Sequence, residues 1–322
     1  MFNELDVLKD IKERFNCHSD KIAVGIGDDC AAVKAGSGLT LYSSDTVLEG
    51  IHFSTSYMTC REIARKAVSV SVSDIAAMGG SPDYFLSTIG IPKCTPQNQI
   101  DELLDGFKDS SGLYGVQLIG GNITTSEKLF IDITVIGHVD NENVVRRAGA
   151  SAGDLVFVTG TLGDSAMGLE ILKLESRNGD QYLENRHKDP RARTEAGKLL
   201  GDNQIPSSMI DISDGFLIDL ERITVEYGLG ADIFLEKIPV SKSYGKLQKS
   251  SEVPLSFALS GGEDYELLFT VPAGNIAKIK KISSTLDVNI SEIGVVNNNK
   301  KIDLYGNDKK IFKYRDKGFV HL

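Results

Sequence analysis

The sequence predicts an α/β (α+β) protein built in two halves, each with its own sheet. Two observations carry this. Runs rich in β-branched residues alternate with stretches of helical spacing along nearly the whole chain. A polar segment rich in Gly, Asn and Ala, "DNENVVRRAGASAGD" at 140–154, interrupts that alternation near the middle, and a fresh apolar run, "LVFVTG", follows it directly. The division is therefore placed between residues 1–145 and 146–322.

In the first half the pattern predicts a helix at 4–15, a short strand at 22–24, a strand at 39–44 and a long helix at 59–78. A strand at 84–91, a helix at 97–111 and strands at 116–119 and 129–139 follow, the last reading "LFIDITVIGHV". The second half opens with a strand at 155–159 and a helix at 162–175, and the polar stretch 176–192 reads as a surface excursion. A helix at 193–201, a strand at 208–212, a helix at 215–227 and a strand at 231–235 come next. Segment 241–252, "SKSYGKLQKSSE", reads as an exposed loop. The chain closes with a strand in "YELLFTV", a helix at 274–284 and strand structure at 288–296.

Composition excludes several functional classes. With 41% hydrophobic and 25% charged residues the chain is an ordinary globular protein, not a disordered one. Its 45 acidic against 35 basic residues, a formal −10, argue against a nucleic-acid-binding surface, which needs a basic stripe to displace counterions. Cys17, Cys30, Cys60 and Cys94 form no CxxC pair, so zinc-ribbon and thioredoxin-like readings lack support and a reducing, cytoplasmic setting is expected. The start, "MFNELDVLKDIKERF", is a charged amphipathic pattern and not a signal sequence. No run approaches the roughly 18 apolar residues a membrane span requires, so no membrane association is expected.

The chemistry rests on acids at strand ends and turns. The chain has no GxxxxGK[ST], and "GIGDDC" lacks the third glycine of a dinucleotide fingerprint. Instead "GIGDD" (25–29), "SSDT" (43–46), "DISDG" (211–215) and "SGGED" (260–264) each set a carboxylate beside glycine or a hydroxyl residue. One such motif is adequately explained as turn chemistry. Four in one chain suit a hard cation such as Mg²⁺, which takes a few carboxylates and completes its shell with phosphate and water. Asp74 is the most informative residue, because Ile63, Ala67, Val70, Asp74 and Ala77 share one helical face and a carboxylate interrupts the apolar stripe. A buried charge needs a partner, and a metal is favoured over Arg61 or Lys66, which lie toward the other end of that helix. Asp211 closes an apolar strand just before Ser213 and Asp214. Either of the latter could cap the next helix, whose N-terminus could also hold a phosphate. His52 alone reads as a structural hydrogen-bonder, Arg146 and Arg147 as a fork for phosphate or a solvated pair, and Tyr114 as a base-stacking or a packing aromatic.

Taken together, "GIGDDCA", "SSDTVLEGIHF", "KAVSVSVSDIAAMGGSP", "QLIGGN", "RAGASAGDLVFVTGTLGDSAMGL", "IDISDGFLIDL", "LSGGEDYELLFT" and a closing "KGF" resemble the thiamine-monophosphate kinase family, in the family's order. The wider superfamily includes aminoimidazole ribonucleotide synthetase and selenophosphate synthetase. The resemblance implies two α/β domains, the N-terminal one pairing its sheet across a homodimer. It also implies transfer of the ATP γ-phosphoryl group to thiamine monophosphate with several Mg²⁺ ions. Carried over, the metal ligands would be Asp29, Ser43, Ser44, Asp45, Asp74, Asp211 and Asp214, with Asp28 turned to the turn backbone or to water. ATP would meet Tyr114, Gly121, Asn122, Arg147 and Ser213, and thiamine monophosphate would meet His52, Glu263 and Phe319. The family reads "GGDT" where this chain has "GGNI", so Asn122 stands in for a metal-binding aspartate and brings an amide oxygen without charge. Donor and acceptor are both phosphates, so no side-chain nucleophile and no phosphoenzyme are expected, and His52 is cast as a binder. Two alternatives remain at this stage. One is a related synthetase, for which Cys17 and Lys21 do not form the required pattern. The other is a nucleotide or thiamine-phosphate sensor, favoured only by Asn122.

Overall fold

The computed structural model describes residues 20–174, 179–250, 255–306 and 311–312. The helix expected at 4–15 and Phe319 with its "KGF" lie outside the described residues.

The first half forms a sheet of six strands: β1 (Ile22–Val24), β2 (Ala31–Ala35), β3 (Gly38–Leu48), β4 (Ser81–Ile91), β5 (Gln117–Thr125) and β6 (Phe130–Asp140). They run in the order β1-β2-β3-β6-β4-β5. β3 and β6 pair antiparallel over their whole length, from Gly38 opposite Asp140 to Leu48 opposite Phe130. Period-two alternation fixes that register. Ile131, Ile133, Val135 and Val139 point into the core, while Asp132, Thr134 and His138 face the other way. β5 pairs parallel with β4 and is the edge of the sheet. Its bulge opposite β4 brings Gly121 so close that a Cβ would lie 1.9 Å from the Ser87 carbonyl oxygen, with φ at +152°. Only glycine fits there.

One face of this sheet is covered by α1 (Cys60–Ala77), against which α2 (Gln97–Tyr114) packs. Thr59 and Glu62 start α1 with a reciprocal capping box. Its small residues, Ala64, Ala67, Ser69, Ser71, Ser73, Ala76 and Ala77, let it be buried on nearly all sides. The C-terminal end of α1 is wedged against the second half, where Ala76 and Ala77 join a core with Val145, Phe157, Leu200, Met209 and Phe269.

The second half carries seven strands: β7 (Leu155–Thr159), β8 (Ser208–Asp211), β9 (Gly230–Phe234), β10 (Leu267–Val271), β11 (Ile290–Asn297), β12 (Ile302–Tyr305) and β13 (Ile311–Phe312). Their order is β13-β12-β9-β11-β7-β10-β8, with β12 and β9 parallel and the other pairs antiparallel. The helices are α3 (Asp164–Lys173), α4 (Gln181–Lys188), α5 (Thr194–Asp202), α6 (Phe216–Ile223), α7 (Lys242–Ser250), α8 (Ser256–Ser260) and α9 (Ile276–Ser283).

Two segments expected to be irregular hold helices. The presumed excursion 176–192 contains α4, capped by Asp180, whose Oδ1 accepts from the Tyr182 and Leu183 amides at 3.0 and 3.3 Å. That helix buries Leu183 and His187. The presumed loop 241–252 is α7 over most of its described residues, with Ser241 Oγ accepting from Tyr244 N at 3.0 Å and the Tyr244 ring fully buried. In both, one or two buried side chains in a polar sequence were too sparse to set a helical period. The helix expected at 215–227 ends at Ile223, and a short 3₁₀ turn, Val225–Tyr227, stops at Gly228 with φ at +78°.

Candidate active site

A cavity of about 610 Å³ opens where α1, β3 and the loops after β8 and α8 meet. At one end stands a cluster of acids. Asp29 reaches in from the loop after β1, Asp74 from α1 and Asp211 from the end of β8, and one carboxylate oxygen of each lies within 4.8 Å of the others. Asp45, on the core face of β3, adds a fourth carboxyl in contact with Asp74 and Ser71. Ser43, two residues earlier on that face, donates its hydroxyl to Asp74 Oδ2, and Ser73 Oγ donates to Asp211 Oδ2 at 2.6 Å. The run "VSVSVSD" thus supplies both a ligand candidate and the hydroxyls that hold its neighbours.

The charge balance of this cluster is unfavourable as it stands. Arg147 answers Asp29, with Nη2 and Nε at 2.6 and 3.2 Å from Oδ1. Asp29 Oδ2 and Asp45 Oδ2 are buried without a hydrogen bond. Burial pushes the Asp74 and Asp211 carboxyls well above the usual carboxylate range, and neighbouring carboxylates push them further, Asp45 for Asp74 and Asp29 for Asp211. Such a set of hard oxygen donors, with orphaned lone pairs and mutual repulsion, fits a divalent cation such as Mg²⁺. Asp28 turns away from it. Its Oδ1 accepts from Asp29 N at 3.0 Å, and both its oxygens accept from Arg147 N at 3.3 Å.

Ser213 and Asp214 also line the cavity, but neither caps α6. The amides of Ser213, Asp214 and Gly215 all donate to Asp219 Oδ2, at 3.1, 3.2 and 3.2 Å, so the donors that would hold a phosphate are already engaged. Asp214 pairs with Arg222 Nη2 at 2.7 Å.

The other end of the cavity holds His52 and Glu263. His52 follows β3, and its Nδ1 accepts from the Leu48 amide at 3.1 Å. Glu263 comes from the second half on a strained turn, with φ of +66° at Glu263 and +50° at Tyr265. Lys66, with 1% of its side chain exposed, joins the two: Nζ donates to the His52 carbonyl at 3.0 Å and lies 2.9 Å from Glu263 Oε1. Burial works to raise the Glu263 carboxyl, but Lys66 and then His187 outweigh it and hold the group below its ordinary value.

Four predicted contacts stand elsewhere. Gly121 and Asn122 lie on β5, three strands from β3, Asn122 in one cross-strand row with Thr46, Asp132 and Thr88. At sheet spacing that is roughly 14 Å from β3. Ser44, at the cavity edge, turns to the open face of the sheet, where its Oγ is 3.2 Å from Thr134 Oγ1. Tyr114 is in the seam between the halves, its hydroxyl bonded to Ser69 Oγ at 2.8 Å and to Ala192 N at 3.2 Å. Sequence reasoning missed Lys66 and His187 at the site. A lysine among small residues mid-helix was the available signal for the first, and the polar run "ENRHKDPRA" gave none for the second.

Residues 27–139 match the family described as "AIR synthase related protein, N-terminal domain", and 151–307 its C-terminal counterpart. A thiamine-monophosphate kinase of Bacillus subtilis (strain 168) is 32% identical over 99% of both chains. That of Aquifex aeolicus (strain VF5) is 38% identical over 77% of this chain and 80% of its own. The chain belongs to the thiamine-monophosphate kinase family. A solved structure described as "AaThiL complexed with AMPPCP and TMP" superposes with a TM-score of 0.86 at 34% identity, covering 99% of this chain and 97% of that one. Of the motifs that resemble the thiamine-monophosphate kinase family in sequence, those with Ser44, Asp45, His52, Asp74, Asp211, Ser213, Asp214 and Glu263 line the cavity, Asp29 of the glycine-acid turn meets two of these acids, and "QLIGGN" lies apart on β5.

Proposed function

We propose that this chain transfers the γ-phosphoryl group of ATP directly to the phosphate of thiamine monophosphate, yielding thiamine diphosphate and ADP with Mg²⁺. The observation that carries this is the meeting of Asp29, Asp74 and Asp211 at one end of a cavity whose other end is closed by His52 and Glu263. Asp29, Asp45, Asp74 and Asp211, with Ser43, would hold the cation, and Asp214 would join them by releasing Arg222. Bound there, Mg²⁺ neutralises the anionic repulsion between two phosphates. The acceptor phosphate is already ionised at neutral pH, so the residues act by orienting and by excluding water. Cys30 supplies no nucleophile, since burial and then Asp74 push its thiol well above its ordinary value. Arg147 supplies a guanidinium for the nucleotide phosphates. Gly121, Asn122, Ser213, Ser44 and Tyr114 enter the reading by the family resemblance alone, as does Phe319.

A homodimer belongs to the same proposal. β5 is an unpaired edge with all nine residues exposed, and Leu118, Ile119 and Ile123 are 44, 54 and 68% exposed. An open apolar edge of that length invites pairing with a second sheet. We also keep the division at 145/146 and a cytoplasmic setting. For the latter, Cys30, Cys60 and Cys94 are free thiols, and among the described residues no helix is long and apolar enough to cross a membrane. The deciding experiment incubates purified protein with ATP, MgCl₂ and thiamine monophosphate and follows thiamine diphosphate by chromatography. Formation of ADP and thiamine diphosphate in equal amounts is expected. Binding of both substrates without product would replace the kinase by a sensor.

A further inference from the structure

His187 has a role in the cavity that neither the motifs nor the acid cluster explain. It sits at the end of α4 with 1% of its side chain exposed and lines the same cavity as His52 and Glu263. Its Nδ1 has two neighbours, Glu263 Oε2 at 3.3 Å and Ser165 Oγ at 3.2 Å. An ionised carboxylate only accepts, and Glu263 is held ionised by Lys66, so Nδ1 carries the proton. Nε2 is then a bare lone pair, and it is buried with no hydrogen-bond partner. The ring cannot escape by protonation: burial first, then the Lys66 ammonium, drive it down to about 3. Glu263 Oε1 also makes no hydrogen bond but is ion-paired with Lys66 at 2.9 Å, which leaves Nε2 as the neutral acceptor without a partner among the described residues at this end of the cavity.

We infer that His187 is a further specificity-determining residue, whose Nε2 accepts a hydrogen bond from an N–H of the substrate's heteroaromatic amine. Thiamine monophosphate carries one such group, the exocyclic amine of its pyrimidine, so the inference rests on the functional reading above. Leu48, Ile51 and Leu169 provide the apolar wall against which a flat ring would lie. Lys66 acts through Glu263 as a positioning residue, fixing the imidazole in the tautomer that leaves Nε2 free.

The test compares kcat/KM for thiamine monophosphate and for its pyrimidine-deaminated analogue in wild type, His187→Leu and His187→Gln, with circular dichroism to confirm folding. Wild type should favour the amine by roughly tenfold to a hundredfold. His187→Leu should bring that preference close to one. His187→Gln, whose Oε1 can approach the place of Nε2, should restore part of it. A wild type that treats both substrates alike overturns the inference even if no variant folds. So does a His187→Leu enzyme that loses activity on both equally, which is the mark of a merely structural residue. Absence of any turnover of thiamine monophosphate defeats the functional reading instead, whereas turnover without discrimination defeats only the role of His187.

Discussion

Replacing Asp74 by Asn removes one charge from the acid cluster and keeps the side-chain shape, including an acceptor for the Ser43 hydroxyl. The three carboxylates present oxygens within 4.8 Å of one another. Two unit charges at that separation repel by about 3.5 kcal/mol at an effective dielectric constant near 20. Proton uptake relieves part of this in the cation-free protein, because Asp74 and Asp211 titrate well above the usual range. Asp74→Asn should therefore stabilise the protein in chelator by about 1–3 kcal/mol. For a chain of this length each kcal/mol moves the melting midpoint by about 2 °C. Wild type should gain its stability from the cation instead, by about 2.7 kcal/mol at a hundred times the dissociation constant. Thermal melts in EDTA and across an MgCl₂ titration, with turnover measured in parallel, separate the two proteins. The variant should melt higher in EDTA, respond little to MgCl₂ and be inactive. A variant that melts lower in EDTA while keeping the wild-type Mg²⁺ response would refute the cation site and make Asp74 an ordinary buried hydrogen-bonded acid.

Three further outcomes follow from other parts of the molecule. Asn122→Asp should lower the MgCl₂ concentration needed for half-maximal rate, and an unchanged requirement would remove β5 from the metal-binding set. His187 is held near 3 when folded and has an ordinary value of 6.5, so the unfolded chain takes up its proton first as pH falls. Stability from this group is full above pH 6.5 and declines below it, by about 2 kcal/mol at pH 5. His187→Gln should lose that share of the acid sensitivity in urea melts at pH 7.5 and 5, and an unaltered slope would show that the ring is not held neutral. Ile123→Glu places a charge on the exposed apolar edge and should shift the mass measured by light scattering from dimer to monomer; an unmoved dimer would locate its interface elsewhere.

The sequence revealed those parts of the molecule in which periodicity and burial coincide. Ile131, Ile133 and Val135 alternate cleanly, so β6 could be placed from them alone, and Asp74 stood out because it broke a helical apolar stripe. Residues whose burial depends on the meeting of two distant segments were silent. Lys66 is buried only because β3, the His52 turn and the Glu263 loop close over it, and His187 only because α4 folds back on that loop. β2, "AAVKA", is too short and too mixed to carry a period, and the strand expected at 116–119 stops short of Gly120, Gly121 and Asn122, which carry β5 on to Thr125 without an apolar alternation. The cap expected from Ser213 or Asp214 failed for a related reason. Asp219, one turn into α6, reaches back and takes all three amides, a contact that propensity at the N-cap does not report.

The wedge of α1 between the two sheets has one more effect. Lys66 and Asp74 are eight residues apart on it, about 12 Å along the axis. The first is matched across the seam by Glu263, the second by Asp211, which also takes the Ser73 hydroxyl. Both ends of the cavity are thus half-sites, completed by the same apposition of the two halves. A rigid-body shift that loosens one necessarily loosens the other, so cation occupancy and recognition of the ring end share one mechanical degree of freedom. By linkage, each must then alter the affinity for the other by the same factor.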